Sequence, residues 1–378
     1  MTPPGCEARS KIAAFDFDGT IAVTKSGKTF AQNGNDWQFL FPEVPAKLKE
    51  LHDDGACYKI VIMSNQMGVS KGKQTAAETQ KRLAGAAAAT GVPIQIFFAT
   101  MNNFNRKPCI GMWYHMVRVA FNDGVTIDMS QSLYCGDAAG RPKTGPRKKD
   151  FSAGDLKFAM NLGVTFNTPE QLFKGSKDPL HCDRSRAVLG FVPTESLPKP
   201  TDTVRVDGST ASLFVPGTEV LVLVGSPGCG KSHLATAGEK HGYERINQDI
   251  LRTKPACKKA AKAALSDGSS VIIDATNRDP KTRGDWVALA SEFDVPIRAI
   301  VFDTPKEEAF HKNAFRGSNP RSTTDPRTVK DVVMHTFYKN MVMPTAREGF
   351  ADVIHVRSVP GPFASTFEEE MFFSFCKP

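Results

Sequence analysis

The chain has 378 residues and a mass of 41.2 kDa, with 40% of its residues hydrophobic and 23% charged. That length exceeds one ordinary core of about 100–200 residues, so two domains are expected, and the composition excludes the disordered and membrane-spanning classes. A formal net charge of +8 suits a polyanionic partner, because a basic surface attracts phosphates over roughly a Debye length.

The eight cysteines are scattered, none at zinc-ligand spacing, and read as reduced thiols of an intracellular protein. The opening "MTPPGCEARSK" carries no secretory apolar segment. No apolar run approaches the ~18 residues of a membrane span, so no membrane partner is expected.

From Lys11 onward, apolar runs rich in β-formers alternate with helical patterns. Strands are expected at "KIAAFDF", "YKIVIMS", "IQIFFAT" and "SLYCGD", and helices over Pro45 to Asp54 and Thr75 to Gly91. This alternation predicts a parallel sheet covered by helices on both faces, with ligands at the carboxyl ends of its strands. Asp16 ends the first strand and can act as a nucleophile that takes a phosphoryl group, a bound cation offsetting charge repulsion. Asp18 can protonate the leaving oxygen and then activate water. Ser64 ends the next strand and offers a hydroxyl to a phosphate oxygen, while Arg106 and Lys107 supply cations for the transition state. Asp137 follows a later strand and, with Asp16 and Asp18, offers hard oxygen ligands for Mg²⁺, Asp150 or Asp155 being the candidate outer partner. This order of motifs resembles the haloacid-dehalogenase phosphatase superfamily over about Lys11 to Phe173.

Residues 179–215 are rich in proline and lack sustained periodicity, so they read as a linker or wrapping segment between a first domain of residues 1–178 and a second of residues 216–378. In the second domain, strands are expected at "EVLVLVG", "YERIN", "SVIIDAT", "IRAIVFD" and "ADVIHV". The first runs into "GSPGCGKS", a strand–loop–helix context for a phosphate-binding loop. Gly225, Gly228 and Gly230 let backbone N–H groups wrap the phosphates of ATP, Lys231 reaches the β and γ phosphates, and Ser232 holds Mg²⁺. Asp249, near the end of "YERINQDIL", can accept the proton of an attacking hydroxyl. Asp274, Asn277 and Arg283 follow at the next strand end and helix, Arg283 as a substrate-binding cation. Arg316, Arg321 and Arg327 are candidates for a lid over the γ-phosphate.

Phosphate removal and phosphate addition in one chain are compatible when they act at different places, such as the two ends of a broken nucleic-acid strand. "FDFDGTIA", "SNQMGVSKGK", "RKPCIGMWYHM", "GDAAGRP", "KKDFSAGDLKFAMNLG", "GSPGCGKS", "INQD" and "PTAREGF" together resemble the polynucleotide kinase 3′-phosphatase family of DNA repair. The resemblance implies an α/β chain of two domains, a haloacid-dehalogenase-like (Rossmannoid) phosphatase followed by a P-loop kinase. Asp16 would be the nucleophile and Asp18 the acid/base, Ser64 and Lys107 phosphate ligands, Asp137 a metal ligand, and Lys71 and Arg106 basic positions that hold DNA. Lys231 and Ser232 would match the ATP loop, and Asp249 the base for the 5′-hydroxyl.

The implied cofactors are Mg²⁺ and ATP. The implied partners are DNA ends in single-stranded, nicked or broken duplex form, with RNA a further candidate, acted on by a monomer in the nucleus or, second, the mitochondrion. The family's amino-terminal forkhead-associated domain is not seen before the phosphatase motif, so recruitment to phosphorylated scaffolds by that route is not expected. Ser64 stands where threonine is commoner and keeps the hydroxyl, and Ala275 replaces an amide in "DATN". The competing reading is a bifunctional kinase and phosphatase for a small metabolite or nucleoside.

Overall fold

The computed structural model describes residues 1–53, 55–118, 122–145, 147–177, 185–199, 204–319 and 328–377. In chain order its elements begin with β1 (Lys11–Phe15), β2 (Ala22–Val23), β3 (Gln38–Phe39), α1 (Val44–His52), β4 (Tyr58–Asn65), α2 (Ala76–Ala88) and β5 (Ile94–Ala99). There follow α3 (Gly111–Arg118), β6 (Leu133–Cys135), α4 (Gly154–Leu162), β7 (Thr165–Asn167), α5 (Pro169–Lys174), α6 (Arg186–Leu189) and α7 (Pro193–Ser196). Next come β8 (Val220–Val224), α8 (Lys231–Glu239), β9 (Tyr243–Asn247), α9 (Gln248–Leu251), α10 (Lys254–Ser266), β10 (Ser270–Asp274) and α11 (Pro280–Glu292). The chain ends with β11 (Ile297–Phe302), α12 (Lys306–Ser318), α13 (Asp331–Asn340), a 3₁₀ turn at Ala346–Glu348, β12 (Asp352–Val356) and α14 (Thr366–Phe372).

Two compact units result, one of Met1–Thr194 with Phe315–Pro326 and Glu370–Pro378, the other of Glu195–Ala314 with Arg327–Glu369. The first holds a parallel sheet in the order β5-β4-β1-β6-β7. Its two faces bury alternate residues of β1: Ile12 and Ala14 join a core with Met63, Tyr134 and Phe158, whereas Ala13 and Phe15 join one with Ile60, Ile62 and Leu83. That period of two, apolar on both faces, is what a sheet covered by helices on both sides requires. The second unit repeats the logic, with sheet order β12-β11-β8-β10-β9, Val220, Val222 and Val224 of β8 on one face, and Leu221 and Leu223 on the other.

Both central strands mark a reversal of strand order. The chain leaves β1 toward β4 and β5 and later lays β6 on its other side; it leaves β8 toward β9 and β10 and later adds β11 opposite. Open α/β sheets bind ligands outside the carboxyl ends of their strands at such a point.

The expected helix at 75–91 starts one residue later, because Thr75 is its N-cap, its side chain accepting from the Glu78 backbone N–H. The helix expected from Pro45 runs from Val44 to His52, and Asp54 lies outside the described residues. So do Arg321, Arg327 and part of the expected linker, whose described portion carries the short α6 and α7. The tail of the expected second domain packs with the first unit: Phe375 is buried beside that unit's core, and Asn161 both donates to the Phe375 carbonyl (2.9 Å) and accepts from its N–H (2.8 Å). Among the described residues no helix is long and apolar enough to cross a membrane.

Candidate active sites

In the first unit, β1 ends at Phe15 and the Asp16 N–H donates to the Cys135 carbonyl (2.9 Å), which sets Asp16 at the crevice between β1 and β6. Lys107 reaches the same place, its ammonium 2.9 Å from an Asp16 oxygen and 2.7 Å from Asp155, and it also donates to the Tyr134 hydroxyl. Its backbone is clamped by Asn65, which accepts from the Lys107 N–H (3.0 Å) and donates to its carbonyl (3.1 Å). Burial pushes the Asp16 carboxyl up to about 7; Lys107 pulls it down and Asp155 pushes it further up. Burial also lifts Asp137 well above the usual carboxylate range, with Asp155 and Asp16 adding to the effect. Burial works against the Lys107 charge, but Asp155 and Asp16 outweigh it and raise the ammonium pKa.

Asp16, Asp137 and Asp155 bring carboxylate oxygens within 4.8 Å of one another. Carboxylates crowded this closely repel unless a proton or cation intervenes, and a set of hard oxygens fits a divalent ion such as Mg²⁺. The surroundings keep the space open for the acids: a Cβ on Gly19 would meet Asp137 Oδ2 at 2.7 Å, and one on Gly136 would meet the Asp155 carboxylate at 2.4 Å. The sequence left Asp150 and Asp155 as alternatives, and they part company here. Asp150 is held by Arg141 (2.7 Å) and by the N–H groups of Ala139 and Arg141, whereas Asp155 enters the cluster.

Asp18, expected among the metal ligands, is not in that group. Its carboxylate faces Arg82 and the Gln66 amide, and Gln66 also donates to Ser64 Oγ (2.8 Å). Arg106 is half-buried; burial lowers its pKa, nearby Asp16 partly compensates, and one of its terminal nitrogens is buried without a partner, ready for an anion. Lys71 is exposed on the loop after β4.

In the second unit β8 runs into the glycine loop. Gly228 and Gly230 adopt φ of +81° and +104°, a region that side-chain-bearing residues avoid, and a Cβ on Gly225 would sit 2.6 Å from Cys229 Sγ. Lys231 opens α8 and folds back to donate to the carbonyls of Gly225 (2.9 Å) and Ser226 (2.8 Å). Ser232 donates to Asp274 (3.2 Å), the buried end of β10, which also accepts from Arg245 (2.6 Å) and Asn247 (2.7 Å). A cleft of about 790 Å³ adjoins this loop, lined by Gly230, Leu234, Phe302, Val356 and Arg357 among others. Asp249 is exposed in the first turn of α9, just beyond β9.

Arg283, expected to bind substrate, does not reach a surface. It is 0% exposed, forks onto Glu348 through Nε (2.8 Å) and Nη2 (2.7 Å), and donates to the carbonyls of Asn277 (3.0 Å) and Val342 (2.9 Å). Nε and Nη2 join α11 to the 3₁₀ turn through Glu348, and Nη1 ties the helix to the carbonyls on either side of it in the chain. Arg316 sits in the last turn of α12.

Sequence reasoning missed Tyr134, Asn65, Gln66 and Arg82. Asn65 and Gln66 were legible only as neighbours of a strand-end hydroxyl. Tyr134 looked like one more apolar strand residue, and Arg82 like one more cation on a polar helix.

A family model described as "Polynucleotide kinase 3 phosphatase" matches residues 11–173, and one described as "AAA domain" matches residues 253–338. Over 351 residues the chain is 38% identical to the bifunctional polynucleotide phosphatase/kinase of Schizosaccharomyces pombe, covering 92% of this chain and 79% of the relative. It is 40% identical over 183 residues to the polynucleotide 3′-phosphatase ZDP of Arabidopsis thaliana, covering 45% of this chain and 25% of that one. With the polynucleotide 3′-phosphatase of Saccharomyces cerevisiae the identity is 31% over 214 residues, covering 43% and 87%.

Proposed function

The chain belongs to the bifunctional polynucleotide phosphatase/kinase family, and from that premise we propose that it makes broken nucleic-acid ends ligatable by removing a 3′-phosphate in its first unit and phosphorylating a 5′-hydroxyl in its second. The observation that carries this reading is the presence of two separate constellations, each at the strand-order reversal of its own sheet.

In the phosphatase reading, Asp16 attacks phosphorus and takes the phosphoryl group as an acyl phosphate while the 3′-oxygen leaves. Asp18 gives that oxygen a proton, then removes one from the water that hydrolyses the acyl phosphate. Lys107, Ser64 and Arg106 hold the transferring oxygens; Lys107 is fixed for this by Asp155, Tyr134 and the Asn65 clamp. Asp16, Asp137 and Asp155 would hold Mg²⁺, which supplies charge neutralisation at the phosphate.

In the kinase reading, the loop N–H groups and Lys231 bind the phosphates of ATP, and the 790 Å³ cleft takes the rest of the nucleotide. Ser232, backed by Asp274, would hold Mg²⁺ there. Asp249 accepts the proton of the 5′-hydroxyl as the hydroxyl oxygen attacks the γ-phosphorus, and the bond from that phosphorus to the β-phosphate oxygen breaks to release ADP.

Nucleic acid is favoured over a small metabolite by Phe151, which is 99% exposed and follows the basic residues Arg147, Lys148 and Lys149. A bare ring beside cations is a platform on which an unpaired base stacks. DNA ends are the proposed substrate, RNA ends a second class, acted on by a monomer in the nucleus with the mitochondrion as second site. The Asp16→Asn variant is expected to lose 3′-phosphatase activity and keep the kinase, and Lys231→Ala the reverse; loss of both activities in either variant contradicts two independent sites.

A further inference from the structure

Arg82 is a buried cation that the reaction scheme leaves unused. It sits on the packing face of α2 beside Thr79, Leu83 and Ala86, a face that is otherwise small or apolar. Taking a guanidinium out of water costs several kcal/mol unless well-placed partners compensate, and burying an ion pair is a weak way to gain stability. Its carboxylate partner here is Asp18. One terminal nitrogen lies 2.6 Å from Asp18 Oδ1, the other 3.2 Å from Oδ2 and 3.3 Å from the Gln66 carbonyl oxygen. Gln66 completes the frame by donating its amide to Asp18 Oδ2 (2.7 Å) and Ser64 Oγ (2.8 Å). The guanidinium carbon also lies over the Phe17 ring, 5.0 Å from its centroid, a cation–π contact.

The two ends of this pair face different surroundings. Arg82 is 3% exposed while Asp18 is 47% exposed, so the carboxylate is gripped from behind and open in front. We propose that Arg82, with Gln66, is a positioning residue for the phosphatase: it holds the Asp18 carboxylate in one orientation and ties it to Ser64, so that the acid/base group and the phosphate-holding hydroxyl move as one frame. This inference rests on the assignment of Asp18 as the acid/base group. Two oxygens gripped by a planar fork have one allowed rotation, whereas a carboxylate with a single flexible contact has many, and a misplaced acid/base group lowers turnover more than binding.

The test measures phosphate release from an oligonucleotide bearing a 3′-phosphate, with the 5′-kinase activity of the same preparation as the folding control. Arg82→Met is expected to lower the phosphatase kcat by about tenfold to a hundredfold, with KM changed by no more than about twofold, while the kinase is unaltered. Arg82→Lys restores part of the loss, since an ammonium can grip one oxygen but not two. In an Asp18→Asn background the same Arg82→Met change should cost no more than about twofold further, because residues acting as one unit are not additive. An unchanged kcat, a raised KM at constant kcat, or an Arg82 effect that persists in full without Asp18 would overturn the proposal. Should Arg82→Met fail to fold, Arg82→Lys and Gln66→Leu carry the same comparison. A wild-type protein that releases no phosphate at all would instead refute the underlying assignment.

Discussion

Replacing Arg283 with methionine separates a structural arginine from a substrate-binding one. The side chain is wholly buried in α11, and the substitution removes a bidentate bond to Glu348 together with donors to the Asn277 and Val342 carbonyls. Breaking a buried ion pair by deleting one partner costs about 3–5 kcal/mol. Glu348 retains 17% exposure and regains some water, which puts the expected loss near the low end, at about 3 kcal/mol. For a unit of this size each kcal/mol moves the midpoint by ~2–4 °C, so thermal unfolding of the kinase unit should fall by about 6–12 °C. Asn277, which Arg283 supports, donates to the Leu223 carbonyl of β8, so a modest drop in kinase kcat at moderate temperature accompanies the instability. The assay pairs differential scanning calorimetry with kinase kinetics well below the transition. An unshifted midpoint with a KM for the 5′-hydroxyl strand raised tenfold or more would refute the buried-clamp account and return Arg283 to the substrate.

Other expectations follow from the charge clusters. Asp16 is raised to about 7 in the fold, far above its unfolded value, so without a divalent ion its contribution to stability is full below the unfolded pKa and is lost as pH rises through about 7. Divalent binding needs the ionised acids, hence the Mg²⁺-induced rise in phosphatase-unit melting temperature should be larger at pH 8 than at pH 5.5; equal shifts contradict the cluster as the ion's site. Phe151→Ala should raise the KM for a single-stranded 3′-phosphate by about tenfold, the scale of one lost base stack, and leave release from a small phosphate ester unchanged. Activity on oligonucleotides should fall steeply with added salt, and a flat response would favour the small-metabolite reading.

Much of the fold was legible because both sheets are parallel and buried on both faces, so their strands appear as short apolar runs such as "KIAAF" and "VLVLV" that end where chemistry begins. Asp16, Asp137 and the loop from Gly225 to Ser232 lie directly after such runs, and local sequence is enough to place them. Asp155 is eighteen positions beyond Asp137, and only the packing of α4 under β6 and β7 decides between it and Asp150, which Arg141 takes. Arg82 and Arg283 were illegible for the same physical reason: an arginine's burial depends on a distant acid, Asp18 in one case and Glu348 in the other, and no local pattern announces it. One went unnoticed and the other was expected at the surface. The tail shows a third limit, since the placement of Phe375 against the first unit follows from its contact with Asn161, far earlier in the chain.

The most direct test of the central claim is the mass of one oligonucleotide carrying a 5′-hydroxyl and a 3′-phosphate after incubation with the protein and Mg²⁺, with and without ATP. Two sites acting on opposite ends predict loss of one phosphate without ATP, and with ATP that same loss accompanied by gain of a phosphate at the 5′ end. An oligonucleotide of unchanged mass and unchanged ends under both conditions would contradict it.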